Sequence, residues 1–131
     1  NSVCCVYATS AFFEPSDLLA SYDAHLLQPD KITMSVSKLK KNLQRAYLGE
    51  LHSLTLEDSS LERRGTDTFT DRYADAGQFY WGKVGTWLSS EFGPASYAGH
   101  ELPPWKAIDI DDSVDWTMAE IVLSGLSKRQ C

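Results

Sequence analysis

Residues 105–116, Trp-Lys-Ala-Ile-Asp-Ile-Asp-Asp-Ser-Val-Asp-Trp, constrain this chain more than any other stretch. Ala107, Ile108 and Ile110 are apolar and partly β-branched, which suits a buried strand. The stretch therefore predicts a strand that runs straight into a helix. Side chains alternate faces along a strand, so Asp109 and Asp111 would share one face while Ile108 and Ile110 take the other. The attachment points of the two carboxylates then stand roughly 6.6 Å apart. At an effective dielectric of about 20, ionised carboxylates at that separation repel by roughly 2.5 kcal/mol. Two arrangements accommodate this repulsion. Either Asp109 is a surface residue at a strand end and Asp111 an N-terminal helix residue, both facing water, or a half-buried pair holds a cation. Magnesium, with oxygen ligands at about 2.1 Å, suits two carboxylates and keeps waters for substrate phosphates. The local sequence leaves both arrangements open.

The helix that follows is well signalled. Asp112 or Ser113 can cap it, and Asp115 sits in the first turn, where the helix dipole favours negative charge. Val114, Met118, Ile121, Val122 and Leu126 recur at helical spacing and are expected to face the core. Lys128 and Arg129 close the segment in the sense the dipole favours. A strand followed by a helix is the grammar of a nucleotide-handling α/β sheet, in which ligands sit beyond the carboxyl ends of the strands.

With 131 residues the chain is expected to form one domain, 1–131. No run of about 18 apolar residues is present, and the first residues lack the pattern of a secretory signal. The formal charge of -6 argues against nucleic acid or an anionic membrane as the main partner. Cys4, Cys5 and Cys131 form no disulfide framework and no metal-ligand spacing. The expectation is reduced thiols in the cytoplasm, with Cys4 and Cys5 as small buried hydrophobes. His25, His52 and His100 stand at no spacing that pairs them with a nucleophile or a metal partner. The four tryptophans, Trp81, Trp87, Trp105 and Trp116, read as core or interface residues.

Taken in order, Val3 to Ala8 is a continuous apolar run, expected to be a strand buried on both faces. Its position at the start leads one to expect further sheet upstream. Thr9-Ser10-Ala11 follows as a polar turn whose hydroxyls can touch a ligand or cap a helix. Pro15 opens a helix with Leu18, Leu19, Tyr22, Leu26 and Leu27 on a broad face, and Pro29 ends it. Ile32 to Val36 alternates as a strand. Lys38, Lys40 and Lys41 form a basic cluster, with solvated surface the default reading. Residues 44–56 read as a hairpin, with strands at Ala46–Leu48 and Leu51–Leu56 around Gly49-Glu50. Such an arm can pair with a second subunit. Glu57 to Thr70 reads as an exposed loop carrying Arg63 and Arg64. Asp75-Ala76-Gly77-Gln78 then leads into the aromatic strand Phe79–Trp81, and Gly77 allows a close approach of backbone or ligand.

Several blocks occur in one order: Val-Cys-Cys-Val-Tyr-Ala-Thr-Ser from Val3, Gln44-Arg45-Ala46, Tyr-x-Asp-Ala-Gly-Gln-Phe-Tyr-Trp-Gly from Tyr73, and Pro-Pro-Trp-Lys-Ala-Ile-Asp-Ile-Asp from Pro103 with Asp115-Trp116-x-x-Ala119-Glu120. Over nearly its whole length the chain resembles the C-terminal three-fifths of the pseudaminic acid cytidylyltransferases, relatives of the CMP-sialic acid synthetases. The resemblance implies an α/β fold of the nucleotide-diphospho-sugar transferase type. It further implies a Mg2+-dependent reaction, in which the anomeric hydroxyl of a sugar acid attacks the α-phosphate of CTP to give CMP-sugar and pyrophosphate. By the same resemblance Asp109 and Asp111 are the metal ligands. Asp75, Gly77, Gln78 and Tyr80 fall in the block lining the sugar-acid pocket. Thr9 and Ser10 match the turn near nucleotide and sugar. Arg45 stands in the hairpin that supports dimerisation and the neighbouring site.

Some features depart from the family. Its glycine-, arginine- and lysine-bearing loop, which cradles the CTP phosphates, has no counterpart in these residues, Ala11 replaces a usual proline, and residues 57–70 match poorly. Phosphoryl transfer relies on positioning and charge stabilisation, so the chain alone is expected to turn over little or nothing. The expected fold is a mostly parallel sheet with flanking helices and a projecting β-hairpin. The expected function is a cytidylyltransferase-like domain that binds CMP-sugar or sugar acid. The alternative is a non-catalytic assembly module, homo-oligomeric through exposed strand edges or the 44–56 hairpin.

Overall fold

A computed structural model describes residues 1–39, 46–48, 53–56, 71–89 and 96–128, with backbone only at 46–48 and 54–56. In chain order the elements are β1 (Ser2–Val6), α1 (Pro15–Leu27), β2 (Ile32–Lys38), β3 (Ala46–Leu48), β4 (Leu54–Leu56), β5 (Tyr73–Lys83), α2 (Val84–Leu88), β6 (Tyr97–Leu102), a 3-10 turn (Pro104–Lys106) and α3 (Ser113–Ser127). The chain divides into two compact units, Asn1–Lys38 with Ala74–Cys131, and Leu39–Tyr73. No helix among the described residues is long and apolar enough to cross a membrane.

The smaller unit holds a hairpin at the expected place, with β3 at Ala46–Leu48 as expected but the second strand, Leu54–Leu56, shorter than the expected Leu51–Leu56; the expected turn at Gly49-Glu50 lies outside the described residues. β3 pairs antiparallel with β4 in the register Ala46↔Leu56, Tyr47↔Thr55, Leu48↔Leu54. Leu39 N–H donates to the Arg72 carbonyl at 2.8 Å and closes the neck of this unit. Arg45, Lys40, Lys41, Arg63, Arg64 and Cys131 lie outside the described residues.

The larger unit is α/β, but its sheet is mixed rather than mostly parallel. The strand order is β1-β5-β2-β6. β2 runs parallel to β6, whereas β1 runs antiparallel to β5. A parallel neighbour needs a crossover, usually a helix. β5 instead follows the hairpin excursion and lies antiparallel against β1. This placement also overturns the expectation for Val3–Ala8. β1 is an edge strand of the four, and Val3 and Val6 are 46% and 43% exposed. Cys4 packs towards the core and Cys5 faces water, so only one of the two thiols is shielded. Burial pushes the Cys4 thiol up to about 11.

Phe79 forms the centre of the core with Ala76 and Leu102, and Cys4, Phe13, Leu18, Trp81 and Ala107 pack around them. Phe13 meets Phe79 edge-on at 5.8 Å between ring centroids. α1 begins at Pro15, as expected, but of the predicted leucine face only Leu18 packs against the core. Ser21 and His25 are its buried residues, while Leu19, Leu26 and Leu27 are exposed. The reason lies in β5: Trp81 Nε1–H donates to Ser21 Oγ at 2.9 Å, and the Trp81 ring stacks on His25. A tryptophan that buries its ring needs a partner for its N–H, and Ser21 supplies it.

His25 Nε2 lies 3.0 Å from Ser2 Oγ, and Nδ1 is buried without a partner among the described residues. Burial and the Lys83 charge hold this imidazole below its ordinary 6.5. A histidine pKa depressed by folding gives stability that is complete above the unfolded value and is lost as pH falls below it. Thermal melts from pH 7.5 down to pH 5 should show stability falling below pH 6.5, contributed by this group at no more than about 1.4 kcal/mol per pH unit. In His25→Gln that component of the slope should vanish.

The stretch 107–110 is not a strand. Pro103 and Pro104 lead into the 3-10 turn, where Lys106 N–H and Ala107 N–H donate to the carbonyls of Pro103 and Pro104. Proline fixes φ and offers no ladder donor, so the chain turns away from the sheet before Ala107. It then runs irregularly to Asp112, the N-cap of α3. The cap itself is as expected: Asp112 Oδ1 accepts from Val114 N–H and Asp115 N–H, and Asp115 Oδ2 accepts from Asp112 N–H. The predicted core face of α3 is corrected. Ala119 is buried and Val122 and Leu126 are half-buried, but Val114, Met118 and Ile121 are exposed, as is Trp116. α3 is apolar on most sides, so periodicity alone did not single out the stripe that packs.

Candidate functional site

Three pieces of the larger unit meet at the carboxyl end of β1. They are the turn Tyr7–Ser10, the middle of β5 and the irregular segment before α3. Tyr7 N–H and Ser10 Oγ both donate to the Gln78 carbonyl, at 3.3 and 2.7 Å. Thr9 Oγ1 donates to Asp109 Oδ1 at 3.2 Å, across a hundred residues of chain. Gln78 Nε2 donates to the Ile108 carbonyl at 3.1 Å. Thr9, Ser10, Gly77, Gln78 and Asp109, singled out in the sequence, are thus brought together.

Gly77 is the pivot. Its φ is 64°, the left-handed region that favours glycine. The amides of Gln78 and Phe79 both donate to Ser35 Oγ on β2, at 3.1 and 3.2 Å. Two consecutive amides converging on one hydroxyl beside a positive-φ glycine have the character of a bulge, a device that re-aims side chains beside functional sites. The space where Gly77 lacks a side chain is filled by the Asp109 carboxylate. The close approach expected at this glycine is therefore made by Asp109.

Asp75 accepts from Gly77 N–H at 2.9 Å and from the Tyr80 hydroxyl at 3.0 and 2.8 Å on its two oxygens. Burial, then the hydrogen bond and charge of Asp75, push the Tyr80 phenol far above its ordinary value, so it stays protonated as a donor. The Tyr7 ring lies 5.3 Å from the Tyr80 ring, which places Tyr7 beside the site as well. Asp111 is exposed, at the entry to α3, and its N–H donates to Asp115 Oδ2. Among the described residues no group of three or more His, Cys, Asp or Glu side chains is arranged to hold a metal.

Two participants were not legible in the sequence. Ser35 gives no local signal, because its role exists only once β2 lies beside β5. Lys106 is the other: its ammonium is buried between Glu14 at 2.8 Å and Asp17 at 2.7 Å. This anchors the turn before the irregular segment to the start of α1.

No protein-family model matches the sequence. Curated proteins do: the pseudaminic acid cytidylyltransferases of Campylobacter jejuni subsp. jejuni serotypes O:23/36 and O:2 are each 29% identical to it over 127 residues. The match covers 93% of this chain and 53% of either relative, so the chain spans about half the length of the curated relatives it matches.

Proposed function

We propose that this chain is a cytidylyltransferase-like domain that retains the acceptor side of a site for CMP activation of a nonulosonic, sialic-type sugar acid. One observation carries the reading: Thr9, Ser10, the Asp75–Tyr80 block and Asp109 converge on one end of β1. Similarity to pseudaminic acid cytidylyltransferases supports it.

The donor set at this end suits magnesium. Among the described residues one side-chain donor, Thr9, reaches the hard carboxylate oxygens of Asp109, Asp111 lies exposed two residues on, and a cation of this class needs only one or two carboxylates beside waters and phosphates. Asp109 and Asp111 would hold it, and when bound it would neutralise the phosphates approaching two carboxylates. The protein's own part is positional. Thr9 orients Asp109, and Tyr80 holds Asp75 through one O–H shared between the two carboxylate oxygens while Asp75 fixes Gly77 N–H. The Thr9 and Ser10 hydroxyls and the Asp75 carboxylate form the polar face offered to a CMP-sugar or sugar acid. A triphosphate would find no glycine- and lysine-rich cradle in these residues, so the chain alone binds without turnover. The free thiols of Cys4 and Cys5 fit a cytoplasmic setting.

Calorimetric titration of Mg2+ and then of a CMP-sugar tests this. The wild-type chain should bind both, and Asp109→Ala should weaken the metal by about tenfold or more. No heat from either titrant, or an Asp109→Ala variant that titrates like wild type, would overturn it.

A second role is favoured by the exposed apolar surface. Val3 and Val6 lie on the edge strand, and Val114, Met118 and Ile121 line α3. Such surface pairs readily with another chain, which fits a homo-oligomeric assembly module built through strand edges or the 44–56 hairpin. A strictly monomeric species in light scattering at high concentration argues against it.

A further inference from the structure

Gln78 is fully buried, and its amide is only half satisfied. Nε2 donates to two carbonyls, Ala76 O at 2.9 Å and Ile108 O at 3.1 Å, which fixes the orientation of the amide. Oε1 then points into the protein without a partner among the described residues. The unpartnered Oε1 costs stability, whereas the two Nε2–H bonds satisfy two carbonyls that an apolar side chain would leave without this donor. Of those two bonds, the one to Ile108 reaches out of β5 to the segment before α3. Ile108 immediately precedes Asp109, and the segment 107–110 belongs to no helix or strand whose ladder would hold it. Thr9 grips the Asp109 side chain from one side and Gly77 seats it from below. Gln78 alone of these residues holds the adjoining backbone by a hydrogen bond.

We infer that Gln78 is a positioning residue: its carboxamide ties the Ile108 backbone to β5 and thereby fixes the Asp109 carboxylate for a divalent cation. The inference rests on the reading of Asp109 as a metal ligand. It places the source of metal affinity one residue beyond the carboxylates, in a group that never touches the ion. Outer partners of this kind tune affinity by holding the ligand in place.

The test uses Gln78→Met and Gln78→Leu in the full chain, with Mn2+ as the probe. Both variants should melt less than about 10 °C below wild type, because removal of the orphaned Oε1 offsets part of the cost of leaving the Ala76 and Ile108 carbonyls without this donor. Both should bind Mn2+ about tenfold or more weakly by electron paramagnetic resonance. Backbone amide resonances of Ile108, Asp109 and Ile110 should shift in the variants, without metal, while those of α1 stay in place. A melting temperature lowered by about 10 °C or more would make the role structural and overturn the inference. So would unmoved Ile108–Ile110 amides, or moved amides with unchanged Mn2+ affinity. If wild type itself binds no Mn2+, the functional reading fails. The amide shifts, read without metal, separate that outcome from failure of the clamp.

Discussion

On the proposed reading of Asp109 as a metal ligand, Gly77→Ala is expected to abolish Mg2+ binding, and whatever that reading's fate it should destabilise the larger unit by about 2–3 kcal/mol. Two independent effects add. An alanine at φ 64° costs roughly 1–2 kcal/mol, because its Cβ crowds the neighbouring carbonyl. The new methyl would also overlap Asp109 Oδ2 and lie 2.6 Å from Asp109 Cγ. Asp109 cannot stay where Thr9 holds it, and the irregular segment around it must shift with it. The check is a urea melt followed by Mg2+ calorimetry at a temperature where the variant is folded. A variant that loses stability but keeps wild-type affinity would show that Asp109 does not need its seat on Gly77.

Lys106→Met is expected to cost about 2–3 kcal/mol, through loss of the buried ammonium between Glu14 and Asp17. Breaking a fully buried pair costs more; here the Glu14 carboxylate faces water and recovers its hydration. Asp17 does not, since it is largely buried and its Oδ2 also accepts from Glu14 N–H at the start of α1. Burial alone would raise the Asp17 carboxyl, but the hydrogen bond from Lys106 and the Glu14 backbone outweigh it and hold it below its ordinary 3.8. Burial alone would lower Lys106, and its two carboxylates outweigh that and raise it above 10.5. The Asp17 contribution is therefore complete above pH 3.8 and lost as pH falls below it. The Lys106 contribution is complete below pH 10.5 and lost as pH rises through its raised value. Urea melts of wild type should weaken at both ends of this window; in Lys106→Met the alkaline component from Lys106 should vanish and the acid component from Asp17 should shrink. The same variant should loosen the 3-10 turn that leads to Asp109, so on the proposed reading Mg2+ affinity should fall alongside stability.

What could be read along the chain was what short range decides. Pro15 at the start of α1 and the Asp112 cap of α3 depend on a few neighbouring residues, and both stand where expected. So do β3 with its antiparallel partner, although that partner is shorter than expected, and Gly77 as a place of close approach. The errors fall where two readings were locally equal. Val3–Ala8 has the composition of a central strand, but the place of a strand in a sheet is set by its neighbours. The 107–110 segment has strand composition too, yet the prolines before it turn the chain away and a glutamine side chain takes the Ile108 carbonyl. On α1, Ser21 and His25 join Leu18 on the inner side while Leu19, Leu26 and Leu27 face out, because Trp81 needed a hydrogen-bond partner there.

By itself, then, the order of residues determined that this is an α/β chain, similar to part of a cytidylyltransferase, with an acidic segment leading into a capped helix. Those features rest on local propensity and on motif order, which need no knowledge of distant contacts. Only the tertiary structure decided that Asp109 sits on Gly77 beside Thr9, that Ser35 gathers two β5 amides, and that Lys106 is buried between Glu14 and Asp17. Each of those joins residues more than thirty positions apart. The physical reason is that hydrogen bonds and ion pairs at this range form only after the sheet has brought their partners together.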